Sequence, residues 1–366
     1  MKIAIVAGEA SGDLHASEVL KELKKLDPNV QAFGIGGDLL ARNGMKLIEH
    51  ARDMGIVGLF NVLRHLRMFQ RVFDEMIEAI ARERPDVVLL VDYPDFNLRV
   101  AKRCRKMGLR VVYYISPQLW AWRRGRVKQI AKSVDHMIVI FPFEEEFYRQ
   151  HGVPVTYVGH PLIEQVVGVG RAAPREGITR VVLLPGSRRM EVEALLPPML
   201  DAIRILRQER KIDAFLILAP TIEYEEVDEI LKKCGVDLPI LPHDRGEGIA
   251  AADLALSSSG TATLECAVLG TPVVVMYRLS RATHWLARRL VKLPQFSLVN
   301  IIAGKEVVPE LLQDEVTGER IAAEARRMLE PAMYRQITGE LAAVKEKLGK
   351  FGASRRAAKA IMGDLR

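Results

Sequence analysis

Val181 to Leu184 is an apolar run that breaks at Pro185-Gly186-Ser187 and passes directly into a helical pattern carried by Leu195, Leu196, Met199, Ile203 and Leu206. A buried strand that turns sharply into a helix is the repeating unit of an α/β protein with parallel sheets. Such a helix start leaves backbone N–H groups without partners and carries the positive pole of the helix, which makes the loop at Gly186 and Ser187 an anion site. Arg188 and Arg189 add fixed charge suited to phosphate oxygens. The same residues also suit an ordinary turn with two solvated arginines.

At 366 residues the chain exceeds the usual single domain, so two domains are expected. With 49% hydrophobic and 27% charged residues it reads as globular throughout. The net charge of +7 favours an anionic partner: nucleic acid, a phosphorylated metabolite or an acidic lipid. Aromatic residues make up only 6% and no basic tail is present, which makes nucleic acid the weakest of the three. Cys104, Cys234 and Cys266 are odd in number and scattered, which fits neither a disulfide framework nor metal spacing and points to a reducing compartment. The sequence starts at once with a strand, without a signal peptide or a bilayer-spanning apolar run.

Lys2–Ala7 reads as a buried strand, Glu9-Ala-Ser11-Gly12-Asp13 as the loop after it, and Leu14–Leu26 as a helix. Ligands of open α/β sheets sit at such strand ends, although the GxGxxG fingerprint of dinucleotide sites is not met. Asp13 equally suits a helix cap. Gln31–Gly36 is the next strand. The segment 56–73 then places Leu59, Leu63, Leu66 and Phe73 on one helical face and Arg64, Arg67 and Arg71 on another. That pattern fits a membrane-interface helix or a core helix with a solvated basic side. Asp86–Val91 forms a further strand, with Asp92-Tyr-Pro-Asp95-Phe-Asn97 at its end. A carboxylate leaving a strand end is placed for general-base work, and Asp92 is preferred over Asp95, which looks like the cap of the helix Phe96–Met107. The DxxD spacing, without a histidine cluster, indicates no metal. Leu109–Ile115 opens into a loop with Trp120, Trp122 and three arginines, suited to an acyl chain and an anion or to packing against a neighbouring domain. Gly168–Gly177 is the linker candidate.

In the second half, Asp253–Leu256 runs into Ser257-Ser-Ser259-Gly260-Thr261-Ala262-Thr263, which opens a helix carrying Glu265. A Ser/Gly/Thr cluster at a helix start is a second anion cradle. Glu265 suits the two hydroxyls of a ribose, or a favourable place near the helix dipole. Two cradles in one domain and a strand-end carboxylate in another describe a nucleoside-diphosphate site facing a base.

The strings Gly8-Glu-Ala-Ser-Gly-Asp13, Asp92-x-Pro-Asp-Phe-Asn97, Ser116-Pro-x-x-Trp-Ala-Trp122, Leu184-Pro-Gly-Ser-Arg188 with Glu191 and Glu193, Ser259-Gly-Thr-Ala-Thr-Leu-Glu265 and Ser297-Leu-x-Asn300 occur in this order. Together they resemble the lipid-A-disaccharide synthase family over almost the whole chain. The resemblance implies two Rossmann-like domains facing a central cleft (GT-B architecture): residues 1–165 for acceptor and membrane, and 178–340 for the UDP-sugar. A last segment, 341–366, returns to an N-terminal domain of the same or a partner subunit. It also implies transfer of 2,3-diacylglucosamine from its UDP derivative to the 6-hydroxyl of 2,3-diacylglucosamine 1-phosphate (lipid X), with inversion and without metal or other cofactor. In that scheme Asp92 is the base and Arg188 and Asn300 act with it. Gly186, Ser187, Arg188, Ser259–Thr263 and Glu265 hold UDP, while Glu9, Ser11, Gly12 and Asp13 line the acceptor side. Further implications are a homodimer and peripheral attachment to the cytoplasmic face of the inner membrane. Residues 56–73 then read as the membrane contact, with 281–293 as a second patch. The rivals are a UDP-sugar 2-epimerase and a sugar-nucleotide-binding protein without catalysis.

Overall fold

The computed structural model describes residues 1–54, 62–120, 124–172, 177–241, 245–279 and 295–363. The chain divides into two compact units, Met1–Glu164 with Leu348–Arg366, and Gln165–Lys347.

In the first unit, seven strands make one parallel sheet: β1 (Lys2–Ala7), β2 (Gln31–Gly36), β3 (Met45–His50), β4 (Val87–Val91), β5 (Val111–Tyr114), β6 (His136–Val139) and β7 (Val155–Tyr157). Their order is β3-β2-β1-β4-β5-β6-β7. The central strands are covered on both faces, which is why Ile3, Ile5, Val6, Val88, Leu89 and Leu90 are all apolar and fully buried. The helix Ala10–Leu26 buries Ala16, Val19, Leu20 and Leu23, the spacing of one helical face. The helix Val62–Glu83 does the same through Val72, Met76 and Ile80, while Phe69 and Phe73 pack on the rim of that core.

Six parallel strands form the sheet of the second unit: β8 (Thr179–Leu184), β9 (Ile212–Ile217), β10 (Ile240–Leu241), β11 (Leu254–Ser258), β12 (Val273–Tyr277) and β13 (Glu310–Leu312). They run in the order β10-β9-β8-β11-β12-β13. The long helix Arg189–Arg207 follows β8 and contains Pro197 and Pro198. A proline inside a helix leaves the carbonyl four residues earlier without its N–H. For Pro198 that carbonyl is Ala194 O, and the guanidinium of Arg278 donates to it at 3.2 Å.

Three helices end the chain: Gly318–Met328, Pro331–Lys347 and Ala353–Met362. The first two belong to the second unit, and the last packs on the helix Ala10–Leu26 of the first. Because Pro331–Lys347 is one unbroken helix, the return to the first unit comes after it and not at 341. Glu164 receives that return, accepting from Ser354 N at 3.0 Å and Ser354 Oγ at 2.6 Å.

Candidate active site

In an open parallel sheet of this order, the strands on either side of the first one connect in opposite directions. The crevice at their carboxyl ends is where ligands bind. Each unit has such a switch point, between β1 and β4 in the first and between β8 and β11 in the second.

At the first, Ala7 pairs with Val91, so Gly8 and Asp92 leave the sheet side by side. Asp92 and Tyr93 both take the left-handed conformation, φ 46° and 48°, unusual for residues with side chains. Asp92 O is held by Asn97 Nδ2 at 2.7 Å and by the Tyr113 hydroxyl at 2.6 Å, contacts that keep this bend in place. The Tyr93 ring then lies so close to Gly8 that a Cβ there would meet it at 2.6 Å. Phe69 stacks on Tyr93 with ring centres 6.4 Å apart, linking the helix Val62–Glu83 to the residue beside Asp92. Burial, with the nearby charge of Glu9, pushes the Asp92 carboxyl up to about 6, against the pull of the Tyr93 N–H. Such a carboxylate titrates close to neutrality, which suits a base.

Glu9 and Ser11 are exposed there, and Gly12 is buried against Ala7 and Val91. The helix starts at Ala10, not Leu14, so Asp13 lies inside it and cannot cap it. Its carboxylate instead accepts from the N–H groups of Gly37 at 2.7 Å, Leu39 at 3.0 Å and Leu40 at 3.2 Å, capping the short helix Asp38–Arg42. Asp13→Ala is therefore expected to lower stability by about 3 kcal/mol, since buried donors lose a charged acceptor; denaturant unfolding measures it. Asp95 sits in the first turn of the helix Pro94–Lys106 and pairs with Arg126 at 2.7 Å.

Trp120, in the loop after β5, packs inside the first unit. Its ring is edge-on to Phe143 at 4.8 Å and its indole N–H donates to Glu144 at 3.3 Å. Glu144 is 1% exposed, and burial pushes its carboxyl up to about 8, although Phe141, Ser116 and Trp120 donate to it. A raised carboxyl binds its proton more tightly when folded, so this contribution to stability is present below the ordinary carboxylate range and is lost as pH rises towards about 8. Glu144→Gln is expected to flatten that slope in thermal melts run between about pH 5 and about pH 8. Trp122 lies outside the described residues.

At the second switch point, Leu184 pairs with Ser257, which sets the loop Pro185–Arg188 beside Ser258–Thr263. Gly186 has φ 128°, and a Cβ on it would meet Glu191 Oε2 at 2.6 Å and Ser258 Oγ at 3.4 Å. Ser187 and Arg188 are exposed, with the Arg188 guanidinium 3.0 Å from Glu191 Oε1. Gly260 precedes the helix Thr261–Leu269, whose first N–H groups face out of the helix. Thr261 is exposed, Ser259 and Glu265 are half-buried, and Ala262 is buried. Thr263 is fully buried with its hydroxyl donating to Gly260 O at 2.7 Å, so it braces the cradle from beneath rather than lining it.

Asn300 is placed differently from the expectation. It is fully buried in the second unit, and its amide nitrogen donates to Val308 O at 2.8 Å and Glu310 Oε1 at 2.7 Å. Its amide oxygen accepts from Val307 N at 2.7 Å and Val308 N at 3.0 Å. Glu310 also accepts from Phe296 N at 2.8 Å and Ser297 N at 2.9 Å, and Phe296 O accepts from Ser259 Oγ at 3.5 Å. Asn300 thus fixes a loop against Ser259. Glu191 and Glu310, given no role of their own from sequence, are the acids that organise this switch point.

Leu59 and the patch 281–293 lie outside the described residues. Leu63, Arg64 and Leu66 fall on the helix Val62–Glu83, whose side chains are described from Arg67, which is exposed. Arg71 pairs with Glu49 and Glu75, both at 3.2 Å. Among the described residues no helix is long and apolar enough to cross a membrane.

The family model described as lipid-A-disaccharide synthetase matches residues 3–361. The chain belongs to the lipid-A-disaccharide synthase family. A lipid-A-disaccharide synthase of Myxococcus xanthus is 44% identical, covering 99% of this chain and 97% of the relative. One from Geobacter sulfurreducens is 41% identical over 98% and 95% of the two chains. Membership makes the chain a glycosyltransferase of lipid A biosynthesis. Among solved structures, the calicheamicin glycosyltransferase CalG4 matches with TM-score 0.63 at 14% identity, covering 100% of this chain and 98% of that one. A UDP-GlcNAc 2-epimerase from Neisseria meningitidis bound to UDP-GlcNAc matches with TM-score 0.65 at 13% identity, covering 99% and 100%. These two likenesses establish the two-domain Rossmann-like fold of the synthase family member and nothing about its substrate.

Proposed function

We propose that the chain moves 2,3-diacylglucosamine from UDP-2,3-diacylglucosamine to the 6-hydroxyl of lipid X. The products are UDP and a β-1,6-linked disaccharide 1-phosphate. The observation that carries this reading is Asp92, a half-buried carboxylate at a switch point whose titration is drawn close to neutrality. Asp92 accepts the proton of the 6-hydroxyl as that oxygen attacks the anomeric carbon. The bond from that carbon to the diphosphate oxygen breaks on the opposite face, and UDP leaves with the electron pair.

Negative charge grows on the diphosphate as it departs. The N–H groups of Gly186 and Ser187, the Arg188 guanidinium and the helix start at Gly260–Ala262 stabilise it, and Glu265 takes the ribose hydroxyls. Glu9 and Ser11 stand on the acceptor side, with Gly12 and Asp13 shaping its floor. Asn300 and Thr263 are positioning residues, because their polar groups are engaged inside the second unit. Both substrates carry acyl chains, so the basic-apolar segment with Leu59, Leu63, Leu66, Arg64 and Arg67 meets the anionic inner-membrane surface from the cytoplasmic side. The working form is a homodimer.

Mixing UDP-2,3-diacylglucosamine with lipid X tests the reaction. UDP release that depends on lipid X, with the disaccharide found by mass spectrometry, is the expected outcome. Turnover of the sugar nucleotide without acceptor would favour an epimerase, and binding without turnover would leave a non-catalytic protein. Sedimentation with anionic vesicles, lost on replacing Leu59, Leu63 and Leu66 with serine, tests the membrane contact.

A further inference from the structure

The loop that would grip a diphosphate already holds an anion, and it belongs to the chain. Glu191 Oε2 accepts from Ser187 N at 3.3 Å, and Glu191 Oε1 is 3.0 Å from the Arg188 guanidinium. The carboxylate lies over Gly186, where no side chain would leave it room. We infer that Glu191 is an internal counter-anion of the donor site, occupying Ser187 N–H and Arg188 until a nucleoside diphosphate displaces it. This deepens the donor-site reading above and rests on it.

Three points support the exchange. A phosphoryl oxygen at this loop needs the same two donors that Glu191 now uses, and one N–H cannot serve two anions at full strength. A carboxylate kept within a few ångströms of a diphosphate also repels it. Finally, Arg188 is 79% exposed in its side chain and therefore able to turn from Glu191 to a ligand, whereas Glu191 is 19% exposed and stays beside the loop. The carboxylate thus remains in place to re-seat as UDP leaves, opposing binding and favouring release.

A plain capping role predicts otherwise. Glu191 is the third residue of the helix that begins at Arg189, where glutamate or glutamine commonly caps the preceding backbone. Glutamine keeps one oxygen for that cap and replaces the charge, together with the oxygen that faces Arg188, by an uncharged amide, so Glu191→Gln separates the two. UDP is titrated calorimetrically into the full-length protein, its Glu191→Gln variant and its Glu191→Asp variant, which keeps the charge on a shorter stem. The Gln variant is expected to bind UDP about tenfold more tightly, the effect of removing roughly one like charge from beside a diphosphate. Its KM for the donor falls with it, and the Asp variant lies between. Equal or weaker UDP binding by a folded Gln variant overturns the inference and leaves Glu191 as a cap alone. Should neither the parent protein nor its variants bind UDP, the donor-site reading itself fails and takes the inference with it.

Discussion

Asp92→Asn is expected to bind UDP as the parent does and to lose turnover by a factor on the order of 10² or more. Asparagine preserves the size of the side chain and its place on the left-handed bend, but it cannot take up the acceptor proton. Calorimetry with UDP and a product assay with both substrates separate these two properties. Near-normal turnover would remove Asp92 from the role of base. The pH dependence gives an independent reading of the same group. A base must be ionised, so kcat/KM rises with pH through about 6 in the parent enzyme. Because Glu9 is one of the two causes of that raised value, Glu9→Gln is expected to move the acidic limb to lower pH. An unmoved limb would show that burial alone raises the value or that the titration belongs to another residue.

Arg188→Ala is expected to lower kcat by about 10²-fold to 10³-fold, the range seen when one preorganised donor to a developing anion is removed. The loss falls on kcat more than on KM, since the diphosphate charge increases as the sugar departs. Steady-state kinetics over both substrates measure the split. A change confined to KM would make Arg188 a ground-state contact only. Stability should hardly change, because the Arg188 side chain is largely exposed and its pairing with Glu191 is an (i, i+3) surface contact.

Central strands were readable from sequence because parallel sheets are covered on both faces and write themselves as apolar runs. Lys2–Ala7 and Gln31–Gly36 come out with the same ends in both. The edges did not. Met45–His50 and Glu310–Leu312 carry charged residues and lie partly open, without the pattern that marks a buried strand. Glu9–Asp13 read as a loop because serine, glycine and aspartate favour turns. The helix instead starts at Ala10, and Gly12 within its first turn lies close against Ala7 and Val91. Asp13 shows the deeper limit: its partners Gly37, Leu39 and Leu40 lie 24 to 27 residues away, and local spacing does not reveal them. For Asn300 the resemblance alone implied a place in the site, while Val307, Val308 and Glu310 engage its amide from further along the chain. The Arg188–Glu191 pair was within reach, since the two are three residues apart at a helix start.

The division of the chain also sets an order of birth. The second unit is one continuous stretch, whereas the first is made from Met1–Glu164 and the much later Leu348–Arg366. On the ribosome, the whole second unit emerges before the helix Ala353–Met362 that covers Ala10–Leu26. Nascent domains generally fold as they appear, beginning with the earliest. Here the earliest-made unit waits longest, since one side of its first helix stays open until Ala353–Met362 arrives to pack on it.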